Sequence, residues 1–319
     1  MGQPEISFLG RSLGSWGVSI FFIISGYLLA GTTDFSWRYF WRRCLRIFPG
    51  LVVVIFLCAF VLGPIVSTLP FEEYFQNPLA YKYLWRITTL GWLFGGYNAL
   101  PGVFASNPIP NAINGSLWVI PYLLSMYVVL YVFARMKFLQ KRYLLLIAYL
   151  AAWPVVILKP TISVPSLVQE ITGLPGWYLH SFFIMKFCDL YLLFMIGVLI
   201  SVFRDMFKTR LNLLILTAFL IAASYWTGFV LIVHYMVFPA MIIVIGSASF
   251  RWQRNIIADR DISYGLYIYA FPVQQTIVQV LPTICFWGMF MLTMIVTTVL
   301  AVLSWKFVEN PAQRLKNWF

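Results

Sequence analysis

Residues 284–305 read ICFWGMFMLTMIVTTVLAVLSW, a run without one charged side chain. About 20 such residues cross the hydrocarbon core of a bilayer as a helix. Comparable stretches recur at 16–31, 47–69, 117–135, 143–159, 181–202, 211–226, 228–249 and 262–280. Of the 319 residues, 61% are hydrophobic and 10% charged, against about 25% charged in soluble chains. One soluble core cannot take that much apolar surface, whereas a bilayer accepts it as exterior. The fold class expected is all-α: a polytopic transmembrane helix bundle of about nine spans plus one re-entrant or interfacial segment, forming a single membrane-embedded domain over residues 1–319.

The re-entrant segment is 84–104, LWRITTLGWLFGGYNALPGVF. It is apolar enough to meet lipid, but its four glycines, Pro101, Arg86 and Asn98 argue against a simple span. Non-helical backbone survives at membrane depth when protein surrounds it. Loop charges favour the same choice. The runs WRYFWRRCLR at 37–46 and RMKFLQKR at 135–142 are basic. So are the loops with Arg204, Lys208 and Arg210 and with Arg251, Arg254 and Arg260, and the tail with Arg314 and Lys316. With nine spans all of these lie on one side. The loops 70–83, with Glu72 and Glu73, and 160–180 then lie on the other, as the positive-inside rule requires.

The net charge of +12 therefore belongs to loops beside a membrane, with lipids rather than nucleic acid as partner. Cys44, Cys58, Cys188 and Cys285 show neither metal spacing nor a disulfide framework. The two histidines, His180 and His234, have no HxxxH or HxxE partner, so no metal site is expected.

Polar residues in apolar surroundings mark the candidate chemistry. Arg38, Arg42 and Arg46 repeat every four residues and would share a helical face if this segment is helical, with Arg43 beside them. They either set topology or hold phosphate, because the guanidinium fork matches phosphate oxygens. Asp261 can cap the helix that follows it. Ser263, Tyr267, Ala270 and Gln274 share one face of that helix, which serves interhelical hydrogen bonding or a hydroxyl-binding tunnel, and Pro272 can free a carbonyl there. Lys186 and Asp189 can pair within a span, and with His180 and His234 they suggest a polar vestibule on the side away from the arginines. Ser25 is in no GxSxG elbow, and with Gly26 it permits close helix contact.

Five segments resemble the acyltransferase-3 family of bacterial membrane proteins: GVSIFFIISGYLLAG at 17–31, RYFWRRCLRIFP at 38–49, NGSLWVIPY at 114–122, DISYGLYIYAFPVQQ at 261–275 and SWKFVENPAQRLK at 304–316. The resemblance implies a bundle of helices in the bacterial inner membrane and no bound cofactor. It also implies acyl-CoA, in the simplest case acetyl-CoA, as co-substrate, and a hydroxyl of an envelope or exported glycan, free or lipid-linked, as acceptor. On this resemblance Arg43 and Arg46 would contact CoA or organise that site, Ser263, Tyr264 and Tyr267 match a family pattern with no assigned chemical step, and Trp305 and Glu309 match its closing motif. By their position on the side where an acceptor would wait, His180, Asp189 and His234 are candidates for substrate binding, with Ser263, Tyr264 and Tyr267 beside them. The alternatives are a flippase or transporter of a lipid-linked glycan and a non-catalytic membrane partner.

The sequence departs from the family pattern at two points. The usual first helix carries an arginine and, further on, a histidine that is the leading candidate for the base, and the match here begins after that helix. An odd number of spans with a cytoplasmic basic tail also asks for one more helix in front. The expectation is that residues 1–319 alone transfer little, and no catalytic base is assigned. Leu123 stands where the family often has glutamate.

The charge bias makes a direct prediction. In a cysteine-free background, Gln140→Cys in intact cells should resist a membrane-impermeant thiol reagent and react after permeabilisation. Labelling from outside would overturn the nine-span arrangement.

Overall fold

The computed structural model describes residues 7–8, 11–32, 34–88, 99–157, 185–205, 230–247 and 261–317. They are mainly helical, with an irregular stretch over 99–114 and a short hairpin that pairs Ser7–Phe8 with Arg11–Ser12. The principal helices are α1 (Leu13–Ala30), α2 (Trp37–Phe56), α3 (Pro78–Thr88), α4 (Ile120–Arg135), α5 (Arg142–Leu150), α6 (Lys186–Val202), α7 (Phe238–Ser247), α8 (Ser263–Val280), α9 (Phe286–Ser304) and α10 (Asn310–Arg314). Wider π-helical turns occupy Leu57–Leu62, Val233–Val237 and Trp305–Glu309. Among the described residues three continuous helices are long and apolar enough to cross a membrane: Trp37–Val66, Gly115–Arg135 and Phe286–Arg314. Shorter apolar helices cover Gly14–Ala30, Arg142–Ile157 and Val233–Gly246. Along α9 the side chains of Trp287, Met291 and Ile295 are exposed, an exterior that water would penalise and hydrocarbon accepts.

The expected span at 47–69 needs correction. The helix begins ten positions earlier, at Trp37, where the Ser36 hydroxyl accepts from the Arg38 N–H. The arginine run is thus part of the helix, and Pro49 sits in its interior. Of the re-entrant stretch, 84–88 belong to α3, 99–104 are irregular, and 89–98 lie outside the described residues. The expected span 211–226 and the loop 160–180 also lie outside them.

The chain divides into two compact units. One comprises Met1–Gln3, Ser36–Pro121 and Ile256–Phe319; the other comprises Pro4–Phe35 and Tyr122–Asn255. In the second unit α1 lies along α6. A Cβ on Gly26 would overlap the Phe194 carbonyl, and one on Gly197 would overlap the Ile23 carbonyl. The two glycines let the backbones touch, the geometry small residues provide in membrane helix pairs.

In the first unit α8 is the organising element. Pro272 has no N–H to give the carbonyl four residues back. That carbonyl, on Ile268, accepts instead from Asn114 Nδ2 at 2.8 Å, and Asn114 is 1% exposed. Further along, Asn107 Nδ2 donates to the Gln275 carbonyl at 2.9 Å, and Gln275 Nε2 donates to the carbonyls of Ile109 and Ala112 at 2.8 and 2.9 Å. The irregular chain 99–114 is thereby sewn to α8 by buried amides. Tyr74 does the same for the π turn at Leu57–Leu62, donating to the Ala59 carbonyl at 2.6 Å.

Removing Asn114's amide strands the Ile268 carbonyl. Asn114→Ala should cost about 1–3 kcal/mol, read as lowered thermal stability in detergent. In a Pro272→Ala background the helix can reclaim that carbonyl, so the same change should cost less. Equal costs in both backgrounds would refute this account of Pro272.

Candidate functional site

The basic end of the first unit is built by α2 and the C-terminal segment. Arg42, Arg43, Leu45 and Arg46 line a cavity of about 180 Å³ together with Gln313 of α10 and Lys316 of the following 3-10 turn, Leu315–Asn317. Arg43 lies over the Tyr39 ring, 5.7 Å from its centroid. Arg46 pairs with Asp261, the residue just before α8. Asp261 Oδ1 in turn accepts from the hydroxyl and the N–H of Ser263. Burial alone would raise the Asp261 carboxyl. The Ser263 hydroxyl and the Arg46 guanidinium outweigh burial and hold it below its ordinary value.

Just behind, Glu309 is 1% exposed and accepts from Ser304 Oγ at 2.8 Å. Arg46 attracts its carboxylate and Asp261 repels it. The Tyr264 hydroxyl donates to the Ile47 carbonyl at 2.9 Å and the Tyr267 hydroxyl to the Ser116 carbonyl. Of the two uses open to the polar face of α8, Tyr267 displays the interhelical hydrogen bond. Ser263 joins Arg46 through Asp261, a link the sequence did not show because the two partners lie 215 residues apart.

The same unit carries an apolar groove of about 480 Å³ between α2, α8 and α9, walled by Leu57, Val61, Pro272, Ile277 and Val296. Its chemistry suits hydrocarbon.

The second unit holds the other polar group. Asp189 of α6 accepts from the Tyr235 hydroxyl, and His234 Nε2 lies 3.9 Å from its Oδ1. His234 and Tyr235 are both in the π turn Val233–Val237. Trp16 meets the imidazole edge-on, with centroids 5.2 Å apart, and Tyr149 Oη donates to the Tyr235 carbonyl at 3.1 Å. An ionisable pair among apolar helices is costly unless it is used or well partnered, and π turns gather at functional positions. The geometry brings Asp189 and His234 together as a carboxylate–imidazole pair. His180 lies outside the described residues. Among the described residues no group of three metal-ligating side chains converges.

The Arg46–Asp261 pair has a definite pH sign. The folded-state Asp261 carboxyl titrates below its ordinary value of 3.8, so the pair stabilises the fold above that range and loses its effect as pH falls through it. Both side chains are part-exposed, at 32% and 49%, which limits the contribution to about 1 kcal/mol or less. Asp261→Asn should lower the melting temperature slightly at pH 7, and the gap to wild type should close below about pH 4. A gap independent of pH would refute the electrostatic origin.

Comparison with known proteins gives a consistent result. The acyltransferase-3 family, described as an acyltransferase domain, matches residues 2–306. An O-acetyl transferase of Shigella phage Sf6 is 28% identical over 323 residues, covering 97% of this chain and 88% of that protein. Nodulation protein 10 of Rhizobium leguminosarum bv. viciae is 24% identical over 324 residues, covering 94% of this chain and 82% of its own. No solved structure matches. The match along nearly the whole chain shows that it belongs to the acyltransferase-3 family, a family of acyl-CoA-dependent O-acyltransferases acting on diverse substrates.

Proposed function

We propose that this protein transfers an acyl group, in the simplest case acetyl, from acyl-CoA to a hydroxyl of a cell-envelope or exported glycan, working as a multi-pass protein of the bacterial inner membrane. The observation that carries the donor half is the cavity between Arg42, Arg43 and Arg46, at the basic end of a helix long enough to cross a membrane. A CoA molecule brings a pyrophosphate and a ribose phosphate. Guanidinium groups meet such oxygens with paired, charge-assisted hydrogen bonds. The acetyl assignment follows the relative named O-acetyl transferase. The positive-inside rule favours the cytoplasmic side for so basic a cavity, the side where acyl-CoA is made.

In the transfer the acceptor oxygen attacks the thioester carbonyl carbon, so that a C–O bond forms and the C–S bond breaks. The hydroxyl proton passes to a base, and the CoA sulfur leaves as thiolate and takes up a proton. Donors aimed at the carbonyl oxygen stabilise the charge that develops there. His234, held beside Asp189, has the chemistry of a proton acceptor, since neutral imidazole is available near pH 7. We assign the acceptor side to these two residues together with His180. Ser263, Tyr264 and Tyr267 belong with the donor side, where they set the position of Arg46 and of the chain at Ile47 and Ser116.

Arg43→Ala or Arg46→Ala should raise the acetyl-CoA concentration needed for half-maximal rate, with little change in acceptor dependence. The lost contact is worth about 1.5–3 kcal/mol, roughly 10–150-fold. Lysine at either place should restore only part, because it lacks the planar fork. Initial rates of radiolabel transfer from acetyl-CoA to membrane glycan decide it. An unchanged donor dependence in folded variants would leave the arginines a topological role only.

A further inference from the structure

We infer that the C-terminal segment is part of the donor site, and that Gln313 and Lys316 close the arginine cavity over a phosphate group. The inference rests on the acyl-CoA reading above and extends it to residues outside the arginine run. Three observations support it.

The first is composition. Among the described residues the cavity wall has four cationic side chains, Arg42, Arg43, Arg46 and Lys316, one amide, Gln313, and one apolar residue, Leu45. An anion inside that space meets positive charge from both segments that line it. Asp261, the carboxylate paired with Arg46, is not part of the wall. It holds one edge of the Arg46 fork and fixes the direction of the rest.

The second is size. A volume of about 180 Å³ is small beside the roughly 300–1,000 Å³ of sites that enclose a whole drug-sized ligand. That suits a phosphate or pyrophosphate with part of its hydration shell. It does not suit a whole nucleotide, so the adenosine and pantetheine parts of the donor must lie outside it.

The third is how the segment is held. Asn310–Arg314 continues from the π turn Trp305–Glu309 and begins with Pro311 in its first turn. Glu309 is buried and bonded to Ser304. The segment is therefore anchored one turn before it reaches the cavity, and Gln313 and Lys316 lie three residues apart, on one helical face. An anchored helix presenting an amide and an ammonium opposite three guanidiniums forms a clamp with two jaws.

The test uses full-length protein in nanodiscs of neutral lipid and measures binding of acetyl-CoA and of acetyl-pantetheine, which has the thioester but no phosphate. Lys316→Ala and Gln313→Ala should each weaken acetyl-CoA binding by about tenfold or less, and Lys316→Glu more. Lys316→Arg should keep most of the affinity. None should alter the affinity for acetyl-pantetheine, which a merely structural role would change together with acetyl-CoA. Pyrophosphate should compete with acetyl-CoA in wild type and compete less well in Lys316→Ala. If wild type binds acetyl-CoA and the variants bind it equally well, the clamp is refuted while the donor reading stands. If wild type binds no acetyl-CoA, the donor reading itself fails. If Lys316 instead matters only in nanodiscs of anionic phospholipid, the cavity serves a lipid headgroup and the inference is overturned.

Discussion

A carbonyl released inside hydrocarbon must find a donor within the protein, since no water is there to supply one. The first unit depends on this constraint at the Pro272 kink, where Asn114 supplies the donor for Ile268. The same solution recurs where the Tyr74 hydroxyl reaches Ala59 and where Gln279 Nε2 reaches the Val66 carbonyl at 3.0 Å. In the second unit Tyr149 serves the carbonyl of Tyr235. Hydrophobic burial cannot orient helices in a solvent as apolar as their own side chains. These polar ties do, and they fix which face of α8 meets the irregular chain 99–114.

The same constraint separates the two kinds of polar side chain. Tyr264 and Tyr267 spend their hydroxyls on backbone carbonyls, and Glu309 takes the Ser304 hydroxyl. These groups hold elements in place. Arg42, Arg43 and Lys316 line the cavity at the basic end of this unit. Arg46 belongs to both sets, facing the cavity and gripping Asp261. A change at Asp261 would therefore be felt through the direction of one guanidinium.

Much of this was legible in the sequence. Hydropathy marked the apolar parts of Trp37–Val66, Gly115–Arg135 and Phe286–Arg314 because a span needs only an apolar run of sufficient length, and Phe286–Ser304 is visible in residues 284–305 alone. The small pair Ser25–Gly26 marked a close helix contact, and Gly26 makes one. The freed carbonyl at Pro272 was readable from proline's missing N–H. What was not readable is long-range pairing. Nothing near Asp261 names Arg46, and nothing near Asn114 names Ile268, because no local periodicity encodes a contact between distant segments. The start of α2 was misjudged for a related reason. Arginines looked like loop, although a helix accepts them readily when their heads can reach water. The role of Gln313 was hidden in a segment that reads simply as a basic tail.

The π turns at Leu57–Leu62, Val233–Val237 and Trp305–Glu309 have a consequence for how such a sequence can change. A π turn holds one residue more than the α-helical path it replaces. Deleting one residue there lets the helix close up as ordinary α-helix, with everything beyond still facing as before. Deleting one residue elsewhere in the same helix rotates all that follows by about 100° and turns lipid-facing side chains inward. Single-residue insertions and deletions between relatives should therefore gather at these three places, inside helices rather than in loops.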